Sequence, residues 1–321
     1  MNKFPTLDIK KFFKSSKADR IKYGKEVDLI CQETGFLIIK NHGVSSDVIK
    51  NLWNCAENFF SFEYEEKLKS KVPYKGYPYG YLGPGKEALA ASKGIKTPPD
   101  LKESFNGGPL KRPKNITDSD ALTFCYADTI WPNKPKDFRI YWRAYYLEME
   151  KLAARIMKIF ACALRLEHNF FDQYIDNPIS ALRAINYPEQ QTPPEDKQLR
   201  AGAHSDYGSL TILLPQEDST GLEILSRTGD WCPIPVIPNT FIINIGDLMA
   251  MWTNDRWVST LHRVVNSDST RKRQSFAYFH QPNWFAEIEC LPSCLNPGEK
   301  PIYPNTYSGP YLMNKFKSTA Q

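Results

Sequence analysis

Five residues in the second half of the chain carry types and spacings that could do chemistry. His204 and Asp206 stand two apart in Ala203-His204-Ser205-Asp206, and His262 follows far downstream. Arg273 and Ser275, again two apart, come shortly after it. Two imidazoles and one carboxylate on one face of a metal leave open positions opposite, which is the ligand set of non-heme Fe(II) oxygenases. Residues two apart on an extended strand point the same way, so His204 and Asp206 can reach one ion. His262 has to come from another strand. Arg273 follows closely enough to sit on the next strand in the same pocket, where a guanidinium binds a carboxylate through paired, charge-assisted hydrogen bonds. Ser275 can donate to the same carboxylate. Three protein ligands leave room for a bidentate cosubstrate and for O2.

These residues need a scaffold of strands, and the sequence supplies one. From Leu182 onward, short apolar runs alternate with Gly, Pro, Asn and Asp: 182–187, 209–214, 222–225, 241–245, 262–266 and 274–279. Helical patterns come before them. Lys17 to Thr34 reads as a helix ended by Gly35, and Ser45 or Ser46 caps a second helix carrying Ile49, Leu52, Trp53, Ala56 and Phe60. Asp137 can cap a long helix from Phe138 to about Leu166. Many short strands after helices predict a mixed α and β protein, with a double-stranded β-helix (jelly-roll, cupin-type) core flanked by helices. The mouth of such a barrel is a natural place for a buried metal. No linker divides the chain. We therefore expect residues 1–120 to form an N-terminal helical and strand region, and 121–321 a helix-backed jelly-roll core, in one integrated catalytic unit. A Gly-, Pro- and Tyr-rich stretch, 74–108, reads as a long loop with a short helix near Lys86 to Ser92. A last helix, 306–317, is expected to close over one end.

The ordered motifs resemble the isopenicillin N synthase-like branch of the 2-oxoglutarate/Fe(II)-dependent dioxygenases over nearly the whole chain. Phe4-Pro5-Thr6-Leu7-Asp8 resembles that family's opening strand, and the run from Gly35 to Asn41-His42-Gly43 its strand ending in Asn-His-Gly. Asn244-Ile245-Gly246-Asp247, Trp252-Thr253-Asn254, Ser259-Thr260-Leu261-His262 and Arg273-Gln274-Ser275-Phe276 fall in family order. The resemblance implies Fe(II) on His204, Asp206 and His262, with 2-oxoglutarate and O2 as cosubstrates. It also implies that Arg273, Ser275 and Tyr187 hold the distal carboxylate of 2-oxoglutarate. Many plant members carry Asn two residues before the matching Tyr, at the contact to the cosubstrate's other end, and this chain has Ile185 there. The segment Asp100 to Phe105 resembles one that lies beside the substrate pocket. Tyr77, Tyr81, Phe105 and Arg183 are accordingly the expected substrate contacts, with Leu210 and Leu225 as apolar liners beside the metal. His42 and His168 read as structural, and His280 as a weaker candidate for the pocket.

Bulk properties narrow the field further. The 321 residues carry a formal charge of +5, with basic residues interleaved among acids, and no basic block with an aromatic platform suggests nucleic acid. The seven cysteines are scattered and complete no zinc pattern, so they read as reduced thiols. No signal-peptide core and no long apolar run appears. We expect a cytoplasmic enzyme acting on a small molecule, without a membrane, nucleic-acid or obligate protein partner. With Arg183 read as a spare cation, the substrate is expected to be a carboxylate-bearing or amino-acid-derived metabolite of specialised biosynthesis, undergoing hydroxylation, desaturation or ring closure. Two alternatives share the fold: an Fe(II) oxidase using O2 without 2-oxoglutarate, and a catalytically silent small-molecule-binding protein.

Overall fold

The computed structural model describes residues 4–190, 192–267 and 270–319. Its centre is an eight-stranded sheet. In chain order the strands of this sheet and of a second, four-stranded one are β1 (Thr6–Asp8), β2 (Phe36–Lys40), β3 (Gly80–Leu82), β4 (Glu103–Gly107), β5 (Ala181–Tyr187), β6 (Ala201–His204), β7 (Leu210–Pro215), β8 (Leu222–Leu225), β9 (Trp231–Pro233), β10 (Phe241–Ile245), β11 (His262–Val264) and β12 (Arg273–His280). The large sheet runs β1-β2-β10-β7-β12-β5-β4-β3, and a four-stranded sheet runs β6-β11-β8-β9. The N-terminal region and the later core thus build one sheet, since β2 pairs with β10 and β4 pairs with β5.

Three helices cover one face of the large sheet, and local chemistry fixes where they start and stop. Ser16 caps the helix Lys17–Glu33 by accepting from the Asp19 amide, and Ser45 caps Ser46–Ser61 by accepting from the Asp47 amide. Gly35 ends the first helix with φ +64°, and a Cβ there would meet the Val258 carbonyl oxygen at 2.1 Å. Only glycine fits that turn without displacing backbone, and the chain passes from it straight into β2. The long helix is Phe138–Ala163; its expected cap, Asp137, makes no side-chain hydrogen bond to it. Trp142, Tyr146, Met149, Leu152, Ile156 and Phe160 all lie on its buried face. They join the aromatic and aliphatic side chains of the helices and of the large sheet in the main core. The expected C-terminal helix is present as Ser308–Thr319; the stretch 74–108, expected as one long loop, instead holds β3 and β4 with a short 3-10 helix, Leu89–Lys93, between them.

The second core cluster lies between the two sheets. It joins Phe36, Ile38, Ile185 and Tyr187 of the large sheet to Ala201, Leu222, Ile224 and Val264 of the small one. Strand alternation divides the work, because successive side chains point to opposite faces. On β4, Phe105 faces the helices and packs edge-on to Phe59, Phe138 and Trp142, while its neighbour Asn106 faces the space between the sheets. On β3, Tyr81 pairs with Phe105 and turns the same way, donating its hydroxyl to Glu103. Phe105 is fully buried in the core. Phe105→Ala should therefore lower the unfolding free energy by roughly 3–5 kcal/mol, as expected for emptying a large core site. Urea denaturation measures it, and a change below about 1 kcal/mol would mean the ring is not packed as described.

Candidate active site

The small sheet brings the two histidines together. β11 pairs antiparallel with β6 so that His262 lies opposite His204, with ring centroids 4.3 Å apart. His204 Nδ1 lies 2.8 Å from the Gly202 carbonyl, and His262 Nδ1 lies 3.1 Å from the Thr260 carbonyl. A carbonyl only accepts, so each Nδ1 carries the proton and each Nε2 is left with a lone pair. Asp206 follows the end of β6 in a loop rather than on the strand, yet its Oδ1 lies 3.9 Å from both Nε2 atoms. The three ligand atoms lie within 4.8 Å of one another, close enough for one divalent ion to draw them in at roughly 2.0–2.2 Å each.

The other carboxylate oxygen is already used. Asp206 Oδ2 accepts from Thr211 Oγ1 at 2.5 Å and from Asn244 Nδ2 at 2.7 Å. This leaves Oδ1 facing the imidazoles. Burial raises the Asp206 pKa, but His262, His204 and these two donors overcome it and hold the carboxyl below its ordinary value. Burial, with His262 alongside, lowers His204 well below the usual imidazole range. One anionic carboxylate and a neutral imidazole are the protonation states a metal needs from its ligands. Asn244→Ala should weaken Fe(II) binding by 10–100-fold, the usual cost of removing a group that orients a ligand, by order of magnitude. Anaerobic Fe(II) titration reads this, and unchanged affinity would mean that Asn244 does not set the carboxylate.

A buried, unpaired cation lies along β12. Arg273 pairs across the sheet with Tyr187, and its guanidinium sits 4.9 Å from the Tyr187 ring centroid. Arg273 is 3% exposed, and its Nε and Nη1 have no hydrogen-bond partner. Ser275, next in the same row, has a buried hydroxyl that is also unpartnered. No ion pair is formed by Arg273 among the described residues. A buried cation with unsatisfied N–H groups is costly, and an anionic ligand relieves that cost. Arg273, Ser275, Tyr187 and the His-Asp-His cluster line one cavity of about 220 Å³.

The expected substrate contacts fare differently. Arg183 lines the cavity, on the same row of β5 as Ile185 and Tyr187. It is no spare cation, because Glu87 pairs with it at 3.2 Å and Asn106 accepts from its Nε at 2.6 Å. The support that Arg183 lent to a carboxylate-bearing substrate is thereby removed. Tyr81 and Phe105 are correctly placed in sequence but face the helices, one residue out of phase with the cavity row. Tyr77 stands outside the cavity and donates to the Asp128 carbonyl. Leu210 belongs to the helix-packed core and Leu225 is not a cavity residue; Leu213 and Leu222 line it instead. His280 faces away, against Ser209 Oγ at 2.7 Å, and burial pushes its imidazole down to about 3. The cavity instead takes Tyr79, Lys102, Asn106, Phe279 and Gln281, with Leu312 and Phe316 from the last helix. For Phe279 and Gln281 a signal existed: counting on by twos from Arg273 and Ser275 reaches both. Lys102 falls within the segment that the resemblance placed beside the substrate pocket, whereas Asn106 depends on the β4–β5 register, which no local pattern gives.

Known proteins place this geometry in a family. A model described as the 2OG-Fe(II) oxygenase superfamily matches residues 178–282, and one described as the N-terminal region of non-haem dioxygenase in morphine synthesis matches 4–134. The chain is 32% identical over 302 residues to homoarginine-6-hydroxylase 2-ODD-233 of Oryza sativa subsp. japonica, covering 92% of this chain and 89% of that one. It is 28% identical over 320 residues to the 2-oxoglutarate-Fe(II) type oxidoreductase hxnY of Emericella nidulans, covering 94% and 85%. Among solved structures, a full-length Neurospora crassa protein in complex with alpha-KG and thymine aligns with a TM-score of 0.85 at 28% identity, covering 98% of this chain and 97% of that one. With the paired histidines, the half-satisfied carboxylate and the buried, unpartnered arginine in place, the chain belongs to the 2-oxoglutarate/Fe(II)-dependent oxygenase superfamily, enzymes that use Fe(II), 2-oxoglutarate and O2 to oxidise small molecules.

Proposed function

We propose that His204, Asp206 and His262 hold Fe(II), that Arg273, Ser275 and Tyr187 hold the distal carboxylate of 2-oxoglutarate, and that a small molecule is oxidised in the adjoining part of the same cavity. The observation that carries this reading is Arg273: a buried guanidinium with two unpartnered N–H groups, in one cavity with three metal-competent ligands. Iron with 2-oxoglutarate and O2 supplies oxidative decarboxylation coupled to oxidation of the substrate.

The chain's own residues then have separable tasks. Thr211 and Asn244 hold one oxygen of Asp206 so that the other stays directed at the metal. Backbone carbonyls fix both imidazoles as Nδ1–H tautomers, which keeps Nε2 free for the ion. Arg273 and Ser275 present up to three donors to a carboxylate, and the Tyr187 ring beneath the guanidinium limits how that carboxylate can lie. Leu213 and Leu222 line the cavity and keep its wall apolar beside the ligands. Leu312 and Phe316 cover it from the C-terminal helix, so that a substrate carbon is held and water is kept out. All seven cysteines are free thiols, which supports a reducing compartment such as the cytoplasm and suits Fe(II) chemistry. No helix among the described residues is long and apolar enough to cross a membrane.

Anaerobic titration of the Fe(II)-loaded protein with 2-oxoglutarate, followed by the visible charge-transfer band of the chelate, tests the assignment. A saturable band is expected. Arg273→Ala should raise the Kd for 2-oxoglutarate by about 10–150-fold, the range for losing hydrogen bonds to a charged group, while Fe(II) affinity holds. His204→Ala should abolish the band through loss of iron. An Arg273→Ala protein that still saturates at wild-type concentrations would overturn the anchor, and a wild-type protein that binds iron without the band would overturn the cosubstrate assignment.

A further inference from the structure

Beyond the metal and the anion site, the cavity continues along the same rows of β4, β5 and β12. Register places Asn106 opposite Arg183, and Arg183 opposite Ala277. Phe279 and Gln281 follow Ala277 by twos, so they extend the row away from Arg273. This end of the cavity is walled by aromatic rings from Tyr79, Phe124, Phe279 and Phe316.

The charges at this end cancel. Lys102 pairs with Asp100 at 3.0 Å and with Glu87 at 3.4 Å, and Arg183 pairs with Glu87 at 3.2 Å. Two cations and two carboxylates form one connected cluster. Asp100 is fastened further by the amides of Leu89 and Gly202. Each charge already has its partner, so a substrate with a net charge would bring an unpaired charge into a buried space.

Two neutral groups, by contrast, lack partners. Asn106 is 3% exposed; its Oδ1 accepts from Arg183 Nε at 2.6 Å, and its Nδ2 has no partner. A guanidinium cannot accept, so the amide cannot be turned around, and the free group is a donor. Gln281 is also 3% exposed. Its backbone amide is held by Ser180 Oγ at 3.1 Å, but its side-chain Oε1 has no partner. Buried amide groups left unpaired in a cavity are the sites a ligand would satisfy.

We propose that this end of the cavity recognises an uncharged, planar ring bearing a cyclic amide, whose carbonyl accepts from Asn106 Nδ2 and whose ring N–H donates to Gln281 Oε1. Lactams, imides and cyclic ureides carry that complement, and their flat faces suit the aromatic walls. The neutral cluster of Lys102, Arg183, Glu87 and Asp100 rejects the carboxylate analogues of the same rings. The inference rests on the assignment of Fe(II) and 2-oxoglutarate given above, and it adds the substrate class.

Equilibrium binding to the anaerobic Fe(II)–2-oxoglutarate protein tests it, read by calorimetry and by perturbation of the charge-transfer band. The probes are uracil, thymine and 2-pyridone, set against orotate and 6-hydroxynicotinate. At least one neutral ring is expected to bind at least tenfold more tightly than its carboxylate counterpart. Asn106→Asp, which keeps an acceptor for Arg183 but removes the donor, should weaken that probe at least tenfold. Gln281→Leu should do the same, with the 2-oxoglutarate titration of both variants within twofold of wild type. Carboxylates that bind as tightly as the neutral rings, binding by neither class, or wild-type probe affinity in both variants would each overturn the proposal. The 2-oxoglutarate titration of the wild-type protein reads the cosubstrate assignment separately, and its failure would remove that assignment and this one together.

Discussion

The inner strands of the large sheet serve two masters, and that constraint governs the molecule. One row of side chains must fill the core beneath the helices, and the alternate row must line the space facing the small sheet. β12 makes the division plain. Phe276 and Tyr278 enter the helix-packed core, while Arg273, Ser275, Ala277 and Phe279 face the cavity. A one-residue slip of this strand would place Arg273 among apolar rings and expose Phe276 to the cavity. The helix-side aromatic packing therefore does more than stabilise the fold. Phe276 packs at a tilt against Trp53 and Tyr145, and Tyr278 meets Tyr146 edge-on, so the register that places the arginine is fixed from behind.

The same logic of partial satisfaction runs through the site. Asp206 has one oxygen bound to protein donors and one kept clear. Each histidine has one nitrogen bound to a carbonyl and one kept clear. Arg273 and Ser275 retain free donors in a buried place. In each case the protein uses up the groups that would otherwise reorient the side chain and leaves the functional atom unpaired. Such arrangements cost stability locally, because buried polar atoms lacking partners are unfavourable. The dense packing of the helix-backed core offsets that cost. Charges whose role is to shape the cavity, such as Lys102, Glu87, Arg183 and Asp100, are by contrast fully paired with each other.

The sequence by itself determined a good deal. Two imidazoles, a carboxylate, an arginine and a serine at these spacings already point to a metal and an anion site, because ligand chemistry depends on residue type. The strand boundaries 222–225 and 241–245 and the capped helix from Ser45 were legible, since apolar period and cap residues act locally. The jelly-roll class followed from many short strands behind helices. What the tertiary structure alone decided was which side of each strand met the cavity and which charges found partners. Tyr81 and Phe105 looked like pocket aromatics, and strand phase turned them into the core. Arg183 looked free, and the fold brought Glu87, distant in sequence, against it. Asn106 carried no local signal, because its place in the cavity depends on pairing opposite Arg183. Residue type and local period are properties of a short segment, whereas phase relative to a cavity and the pairing of buried charges arise only when strands from distant parts of the chain come into register.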